Sequence, residues 1–415
     1  MRAMTRVRRL ATVAAAGGIA VTALAAPQVV TGPRAVYWID ATTEAGMPVG
    51  GGKPSLGDMM AMATGGGASS VRKSLWLRLG SDQPAGDPRA PGSHQATAAL
   101  DAKPFPLLPP GRPGTAAPIA AMPNDPVPPG AGTLLVYWGC GVHAGPGQPQ
   151  RIDLSKVSDP VVARTMAALL QPALGLAAAN PPRSTGRRTY LEWPQPGDRR
   201  RLRAEASLVG RHVISAPASP TIDLTLGVED DFLPPARVTD APAADGALAL
   251  SWPAIARAQA IALTAVGSDD GKTVTMWASS KPALAWMSTA PDFLTDRDQT
   301  RLAANGTLLH GTATSCTIPA EAAGQMKAGG LYRVYAYGRD TDRSWPPRPA
   351  DPKTPWAIEW TAKVRHRSLA SGMVGMERSN TRQGEEICGQ ECSPAPEKKK
   401  KRGGLLGRIR DITGQ

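Results

Sequence analysis

Short segments in which apolar and polar residues alternate recur along most of the chain, separated by Gly- and Pro-rich stretches. In the first half they lie at 35–40, 73–79, 133–138 and 208–214. Aromatic and β-branched residues are common in these segments, which is typical of half-buried strands. The sequence therefore predicts an N-terminal β-sandwich-like domain over residues 26–218, with long insertions at 46–70 and 84–132.

A second series of alternating segments follows at 221–226, 248–252, 261–266, 273–277, 314–318, 331–337 and 356–360. Seven short strands separated by turns are the pattern of an immunoglobulin-like sandwich. We expect this second sandwich to occupy residues 219–366. The expected fold class is therefore mainly β, with two immunoglobulin-like sandwich domains, Gly/Pro-rich loops and one short helix.

Two motifs in the second series resemble a known family. The sequence Gly-Ala-Leu-Ala-Leu-Ser-Trp-Pro at 246–253 and Gly-Leu-Tyr-Arg-Val-Tyr-Ala at 330–336 are similar to those of a fibronectin type III domain, over roughly residues 220–365. The resemblance implies that Trp252 on an early strand packs beneath a late strand bearing Tyr332. It also implies a non-catalytic scaffold or binding module. The chain departs from the family pattern by an insertion at 282–309.

The one helix has clear start and stop signals. Asp159 is placed to cap it, Pro160 suits its first position, and Pro172 ends it. Between them, apolar residues recur at helical spacing, at Val161, Val162, Met166, Leu169 and Leu170. We expect this helix to cover an open face or edge of the first sandwich.

The N-terminus has the pattern of a secretory signal peptide over residues 1–25. Arg2, Arg6, Arg8 and Arg9 precede an apolar run, and small Ala23 and Ala25 mark a cleavage site. A twin-arginine route through Arg8 and Arg9 remains an alternative to general secretion. No later stretch reaches the roughly 18 apolar residues of a membrane helix. We therefore expect a periplasmic or extracellular protein with no transmembrane span in the mature chain.

The charge balance favours anionic partners. The formal net charge is +13, and removing the four leader arginines leaves +9. The expected partners are anionic lipid, a cell-wall polymer or another envelope protein, and not nucleic acid. Residues 367–415 are expected to form a flexible, disordered basic tail. Its candidate membrane-contact residues are Lys398, Lys399, Lys400, Lys401, Arg402, Leu405, Leu406 and Ile409. A weak interfacial anchor and a solvated tail both remain open for them.

The chain has four cysteines, an even number that is compatible with one or two disulfides in an oxidising compartment. Their spacing favours a disulfide between Cys388 and Cys392, because a metal clip would need further ligands. Cys140 and Cys316 fall in different predicted domains, so a bridge between them would require close docking of those domains. Buried free thiols are the alternative for this pair.

No catalytic signature is present, and we expect neither an enzyme nor a cofactor. His94, His143, His212, His310 and His366 are scattered without metal-ligand spacing. The acidic residues 229–231 and 269–270 leave open a carbohydrate-active enzyme with paired carboxylates, although Asp269 and Asp270 before Gly271 fit a hairpin turn better. Met47, Met59, Met60 and Met62 leave open a copper site, against the simpler role of packing on a core.

Two sets of residues are candidates for ligand binding. Trp193, Trp286 and Trp345 lie in loop-like sequence, where an indole can stack on a sugar or meet a membrane surface. Arg199, Arg200 and Arg201 lie in an Arg-rich segment that suits an anionic polymer, or else forms a solvated hairpin. The sequence thus indicates an exported cell-envelope protein of binding or structural type.

Overall fold

The computed structural model describes residues 28–46, 71–83, 90–110, 132–156, 158–170, 176–177, 180–183, 189–198, 200–283 and 291–374. Several expectations concern residues outside these ranges: the signal peptide, the four methionines at 47–62, Trp286, Arg199, Cys388, Cys392 and the tail residues from 377 onward. Every described residue belongs to one compact unit of residues 1–376, and a second unit covers residues 377–415.

The protein is mainly β, with several sheets. The strands of the first half are β1 (Val30–Thr31), β2 (Ala35–Gly46), β3 (Arg72–Ser81), β4 (Gly92–Gln95), β5 (Phe105–Leu107), β6 (Thr133–Trp138), β7 (Gln150–Asp153), β8 (Tyr190–Trp193) and β9 (Gly210–Ser215). Those of the second half are β10 (Ile222–Leu226), β11 (Thr239–Pro242), β12 (Leu248–Ser251), β13 (Ala258–Gly267), β14 (Thr273–Ala278), β15 (Leu309–His310), β16 (Ser315–Ile318), β17 (Gly330–Gly338), β18 (Thr341–Trp345), β19 (Trp356–Ala357) and β20 (Trp360–Val374).

One large sheet carries most of these strands, in the order β7-β6-β14-β13-β17-β20-β2-β3-β8, with β15 beside β13 and β18 beside β20. Most neighbours are antiparallel, but β6 and β14 are parallel, and so are β2 and β20. The β2–β20 pairing is the longest contact, and it runs from Ala35 opposite Trp360 to Gly46 opposite Ser371. These two long strands form the middle of the sheet.

The domain organisation differs from the expected pair of separate sandwiches. Strands β2 and β6 belong to the predicted first domain, yet they pair with β20 and β14 of the predicted second domain. Both segments therefore build the same sheet. The alternation of apolar residues identifies a strand but carries no information about which distant strand will lie beside it.

Two smaller sheets cover one face of the large sheet. The four-stranded sheet β10-β9-β4-β5 shares a first core with β2, β3 and β8, and the three-stranded sheet β11-β12-β16 shares a second core with β13, β14 and β17. On β20, Trp360 and Val364 join the first core, whereas Ala370 and Val374 join the second. These residues are an even number of positions apart, so the two cores lie side by side on one face.

The predicted short helix is confirmed as α1 (Pro160–Leu170). Asp159 caps it, since its Oδ1 accepts hydrogen bonds from the backbone N–H groups of Val161 at 2.7 Å and Val162 at 3.4 Å. Val162 packs against a third cluster formed by β6, β7 and β14. On β6, Leu134 and Val136 belong to this cluster, whereas the alternating residues Leu135 and Tyr137 belong to the second core. The third cluster, and α1 with it, therefore lies on the opposite face of the large sheet.

The insertion at 282–309 supplies a second helix on that opposite face. Helix α2 (Asp296–Ala304) places Leu302 against Tyr335 and Tyr337 of β17, whereas Tyr332 and Val334 of β17 point into the second core. Thr295 caps α2 by accepting a hydrogen bond from the N–H of Asp298 at 3.2 Å. A third, one-turn helix, α3 (Ala320–Gly324), follows β16.

The end of the second segment also differs from expectation. The predicted tail begins at residue 367, but residues 367–374 are the second half of β20. All of them pair with β17, and residues 367–371 also pair with β2. The cause of the error is the run Lys363, Arg365 and Arg367, whose charges suggest a solvent-exposed segment. The structure buries Arg365 and Arg367 by pairing them with acidic and aromatic side chains.

Candidate ligand-binding surface

Trp345 is exposed at the end of β18, whereas Trp193 is not. The side chain of Trp345 retains 49% of its accessible surface. Trp193 is only 3% exposed, packs on Phe105 with ring centroids 4.8 Å apart, and donates its indole N–H to Asp198. The prediction of a ligand-binding role for Trp193 is therefore wrong, because its ring is buried in the first core and its N–H donor already binds Asp198.

Trp345 lies at the rim of the first core. In the β18–β20 register it stands opposite Trp360, which is buried in that core. Residues opposite each other in an antiparallel pair project from the same face. Trp345 is therefore on the same face of the sheet as the core residue Trp360, but at an exposed position.

A second tryptophan lies nearby, in the short parallel pairing of β1 with β19. Val30 stands opposite Trp356, and the backbone N–H of Trp356 donates to the carbonyl of Val29 at 2.8 Å. The indole N–H of Trp356 donates to the carbonyl of Pro346 at 2.9 Å, which ties β19 to the residue that follows Trp345. Val29 and Val30 are also exposed, at 63% and 49%.

Arg348 places a positive charge beside these apolar groups. Its guanidinium lies 5.6 Å from the centre of the Trp356 ring, within cation–π range, and its Nε donates to Oε1 of Gln28 at 2.9 Å. The amide of Gln28 in turn donates to the carbonyl of Thr354 at 2.8 Å. We call the surface formed by Val29, Val30, Trp345, Arg348 and Trp356 the tryptophan surface.

The side chains of the tryptophan surface are of types that bind ligands. Indole rings offer flat apolar faces to the C–H groups of a sugar, and a guanidinium offers a planar fork to hydroxyl or carboxylate oxygens. Nothing in the named set is a nucleophile or a general acid. Among the described residues, no group of three His, Cys, Asp or Glu side chains is arranged to hold a metal ion.

Of the two arginine candidates that the structure describes, Arg200 makes contacts within the protein and Arg201 is exposed. Arg200 donates to the carboxylate of Asp101 and to the carbonyls of Lys103 and Pro104, and its guanidinium lies 4.0 Å from the centre of the Phe105 ring. It thus fastens a loop to the first core, and its prediction as a ligand contact is wrong. Arg201 is exposed to solvent.

The acidic residues proposed as paired carboxylates have structural roles. Asp230 is buried and accepts hydrogen bonds from the N–H of Gly227 and the hydroxyl of Thr341. Asp270 accepts from two backbone N–H groups, of Lys272 and Thr273, within the turn between β13 and β14. The hairpin interpretation of Asp269 and Asp270 is confirmed, and these bonds lower the pKa of Asp270.

Two of the scattered histidines meet in a buried chain that sequence reasoning missed. The hydroxyl of Tyr37 lies 2.8 Å from Nδ1 of His94, Nε2 of His94 lies 2.8 Å from Nδ1 of His212, and Nε2 of His212 lies 2.6 Å from the carbonyl of Leu208. Because the carbonyl can only accept, one set of neutral tautomers, with Tyr37 as the first donor, satisfies every bond. Burial lowers the pKa of both imidazoles and raises that of Tyr37.

A buried charge cluster lies on the opposite face, where Arg78 of β3 and Arg365 of β20 share the carboxylate of Asp40 on β2. Arg365 binds both oxygens of Asp40 at 2.6 Å, and Arg78 binds one of them. The guanidinium of Arg78 lies 3.9 Å from the centre of the Trp76 ring. Burial lowers the pKa of Arg78 despite the neighbouring carboxylate. In the sequence, charges at alternate positions of a strand are the only sign of this cluster.

Cys140 and Cys316 form a disulfide, so of the two possibilities left open by the sequence, the one with buried free thiols is wrong. Cys140 follows β6 in the large sheet, and Cys316 lies on β16 of the three-stranded sheet, so the bond joins the two sheets that enclose the second core. Beside it, the imidazole of His143 lies between two exposed carboxylates, 3.1 Å from Asp245 and 3.3 Å from Glu321. This loop is thereby tied to two other segments.

Comparison of the chain with protein-family models, with characterised proteins and with solved structures finds no match. Within the described ranges, no helix has the length and apolar character required to cross a membrane.

Proposed function

We propose that this chain is an exported, non-catalytic binding protein of the cell envelope, and that its tryptophan surface holds an anionic glycan. The observation that carries the proposal is the 49% exposure of Trp345 next to Trp356 and Arg348. Several apolar residues exposed together point to an interaction site more strongly than a single one does, and Val29 and Val30 are exposed beside Trp356 as well.

The glycan class follows from the groups present. The two indoles suit the apolar faces of pyranose rings, whereas Arg348 suits a carboxylate or sulfate on the same polymer. The net charge of +9 that remains once the four leader arginines are removed attracts an anionic polymer over longer distances. An exported location rests on the pattern of residues 1–25, and the tail at 398–415 remains a proposed second attachment point for anionic membranes.

Resemblance to a fibronectin type III domain remains part of this proposal. Trp252 and Tyr332, the two residues that carry the resemblance, both lie in the second core, as such a domain would place them. Scaffolds of this type carry their ligand-binding residues on the edges and loops of the sheets. The tryptophan surface lies at such a place, on the end of β18 and on two short strands.

Binding to a defined polymer tests the proposal. The mature protein is titrated with polygalacturonate, with uncharged dextran as the comparison, by isothermal titration calorimetry. We expect saturable binding of polygalacturonate, and the variant Trp345→Ala should weaken it about three- to tenfold, as expected for one lost aromatic contact. Arg348→Ala should weaken it as well, and Arg297→Ala, an exposed arginine of α2, is the charge-matched control.

Two results would contradict the proposal. One is the absence of saturable binding to polygalacturonate. The other is binding that Trp345→Ala leaves unchanged. Phosphatidylglycerol vesicles are tested in parallel, with and without residues 398–415. Vesicle binding that disappears with the tail, together with no glycan binding, would replace the glycan by lipid as the ligand.

A further inference from the structure

A cavity of about 270 Å³ lies on the sheet face between the two cores. It is bounded by the 3₁₀ turn Val228–Asp230, the start of β13, the end of β17 and the middle of β20. Its lining residues are Glu229, Arg257, Gln259, Arg339 and His366 together with Leu233 and Ala258, and most of the lining surface is apolar. None of these residues belongs to the tryptophan surface.

His366 is the unusual member of this lining. It is 3% exposed, and neither of its ring nitrogens has a hydrogen-bond partner among the described residues. Buried polar atoms are nearly always bonded, and leaving one unbonded costs about 1–3 kcal/mol. A buried imidazole in the wall of a cavity therefore points to a partner that is not part of the protein chain.

The charges around the cavity favour an anion. Arg257 is held in place because its Nη1 donates to the carbonyls of Glu229 at 2.9 Å and Asp231 at 2.8 Å, and its Nη2 donates to the carbonyl of Phe232 at 2.5 Å. Of its five N–H donors, the one on Nε and one on Nη2 are left for a ligand. Arg339 is 78% exposed and has one ion pair at 3.4 Å, with Asp296. Among the lining residues, two guanidiniums stand against one carboxylate, that of Glu229, so the lining itself carries an excess of positive charge. Asp296, which pairs with Arg339, and Asp230 and Asp231, which lie near His366, are outside the lining.

We infer that this cavity is a binding site for a small organic carboxylate, separate from the tryptophan surface. The ligand carboxylate pairs with Arg257 and Arg339, its short apolar part contacts Leu233, and it reaches the ring of His366 by a small adjustment of the wall. The volume of 270 Å³ equals that of about nine water molecules in the liquid, so the ligand is small.

The protonation state of His366 is compatible with this role. Burial and the nearby charge of Arg257 lower its pKa to about 4. At neutral pH the ring is therefore uncharged, with one N–H donor and one acceptor nitrogen. An N–H donor can bond the carboxylate, and the acceptor can bond a hydroxyl or amide group on the same ligand.

Propionate is the first probe, and propionamide is its neutral counterpart of nearly equal shape. The mature protein, labelled with ¹⁵N-histidine, is titrated with each compound while the ring resonances of His366 are followed by NMR. We expect propionate to shift these resonances saturably and to bind at least tenfold more tightly than propionamide. Arg339→Gln should weaken propionate binding at least fivefold, and the control Arg297→Gln should not.

Arg339→Gln replaces a solvent-exposed side chain, so the variant should fold and the test stays valid. The inference is overturned if propionate causes no saturable shift, or if Arg339→Gln binds it as tightly as the unmodified protein does. It is also overturned if a high-resolution crystal structure grown with propionate shows only water bonded to His366. None of these results bears on glycan binding by Trp345.

Discussion

Removing the Cys140–Cys316 disulfide should cause a large loss of stability, which we expect to see in the double variant Cys140→Ser/Cys316→Ser. The two residues are 176 positions apart, so the bond closes a long loop in the unfolded chain. The chain-entropy relation gives about 5 kcal/mol for a loop of that length, as an upper value. Urea unfolding followed by tryptophan fluorescence measures the difference, and we expect a loss of at least 3 kcal/mol.

A matched control is available in the same chain. The double variant Cys388→Ser/Cys392→Ser removes the pair that the sequence favoured, whose loop is short, and it should change stability by much less. Peptide mapping without reduction should recover Cys140 joined to Cys316. Free thiols at these two positions, or equal stability of the Cys140→Ser/Cys316→Ser variant and the unmodified protein, would refute the reasoning.

Two further predictions concern the buried histidines. The folded pKa of His366 is about 4 and lies below the usual value of about 6.5, so the unfolded chain takes up the proton first. This contribution to stability is complete above pH 6.5 and is lost as the pH falls through 4. Urea unfolding should show a loss of about 3 kcal/mol from this group. In the second prediction, Tyr37→Phe leaves Nδ1 of His94 without its donor, and the same assay at pH 7 should show a loss of about 1–3 kcal/mol.

Controls for these two predictions come from residues of the same type. His366→Gln should reduce the loss of unfolding free energy at acidic pH. His310 is exposed, so the control variant His310→Gln should show the same loss as the unmodified protein. Tyr137→Phe is the control for Tyr37→Phe, because no hydrogen bond of the Tyr137 hydroxyl is found among the described residues. A pH profile unaffected by His366→Gln, or equal effects of the two tyrosine variants, would show that the buried bonds are not the cause.

Local patterns predicted individual elements well. The segments 133–138 and 273–277 became β6 and β14, and the capping signals at Asp159 and Pro160 predicted the start of α1. These features depend on residues close together in the chain, whose spacing is visible in the sequence. The long β20 was missed because charged residues interrupt its alternation, and their partners lie far away in sequence.

The candidate sites were less predictable than the strands. Trp345 was selected together with Trp193 and Trp286, since all three lie in loop-like sequence, and only the fold could show that Trp193 is enclosed by Phe105. The meeting of His94 with His212, and the position of His366 beside Arg257, depend on pairings between distant strands. No spacing rule connects such residues.

The sequence by itself determined where many of the strands lie, where the helix α1 begins and that the chain carries a net positive charge. Those properties follow from side-chain periodicity and composition, which act locally. Tertiary structure alone decided that the two halves share one sheet through β2 and β20, and that Cys140 bonds Cys316. It also decided which tryptophans remain exposed. The physical reason is that strand pairing and burial are set by the packing of whole sheets against one another, which no short stretch of residues contains.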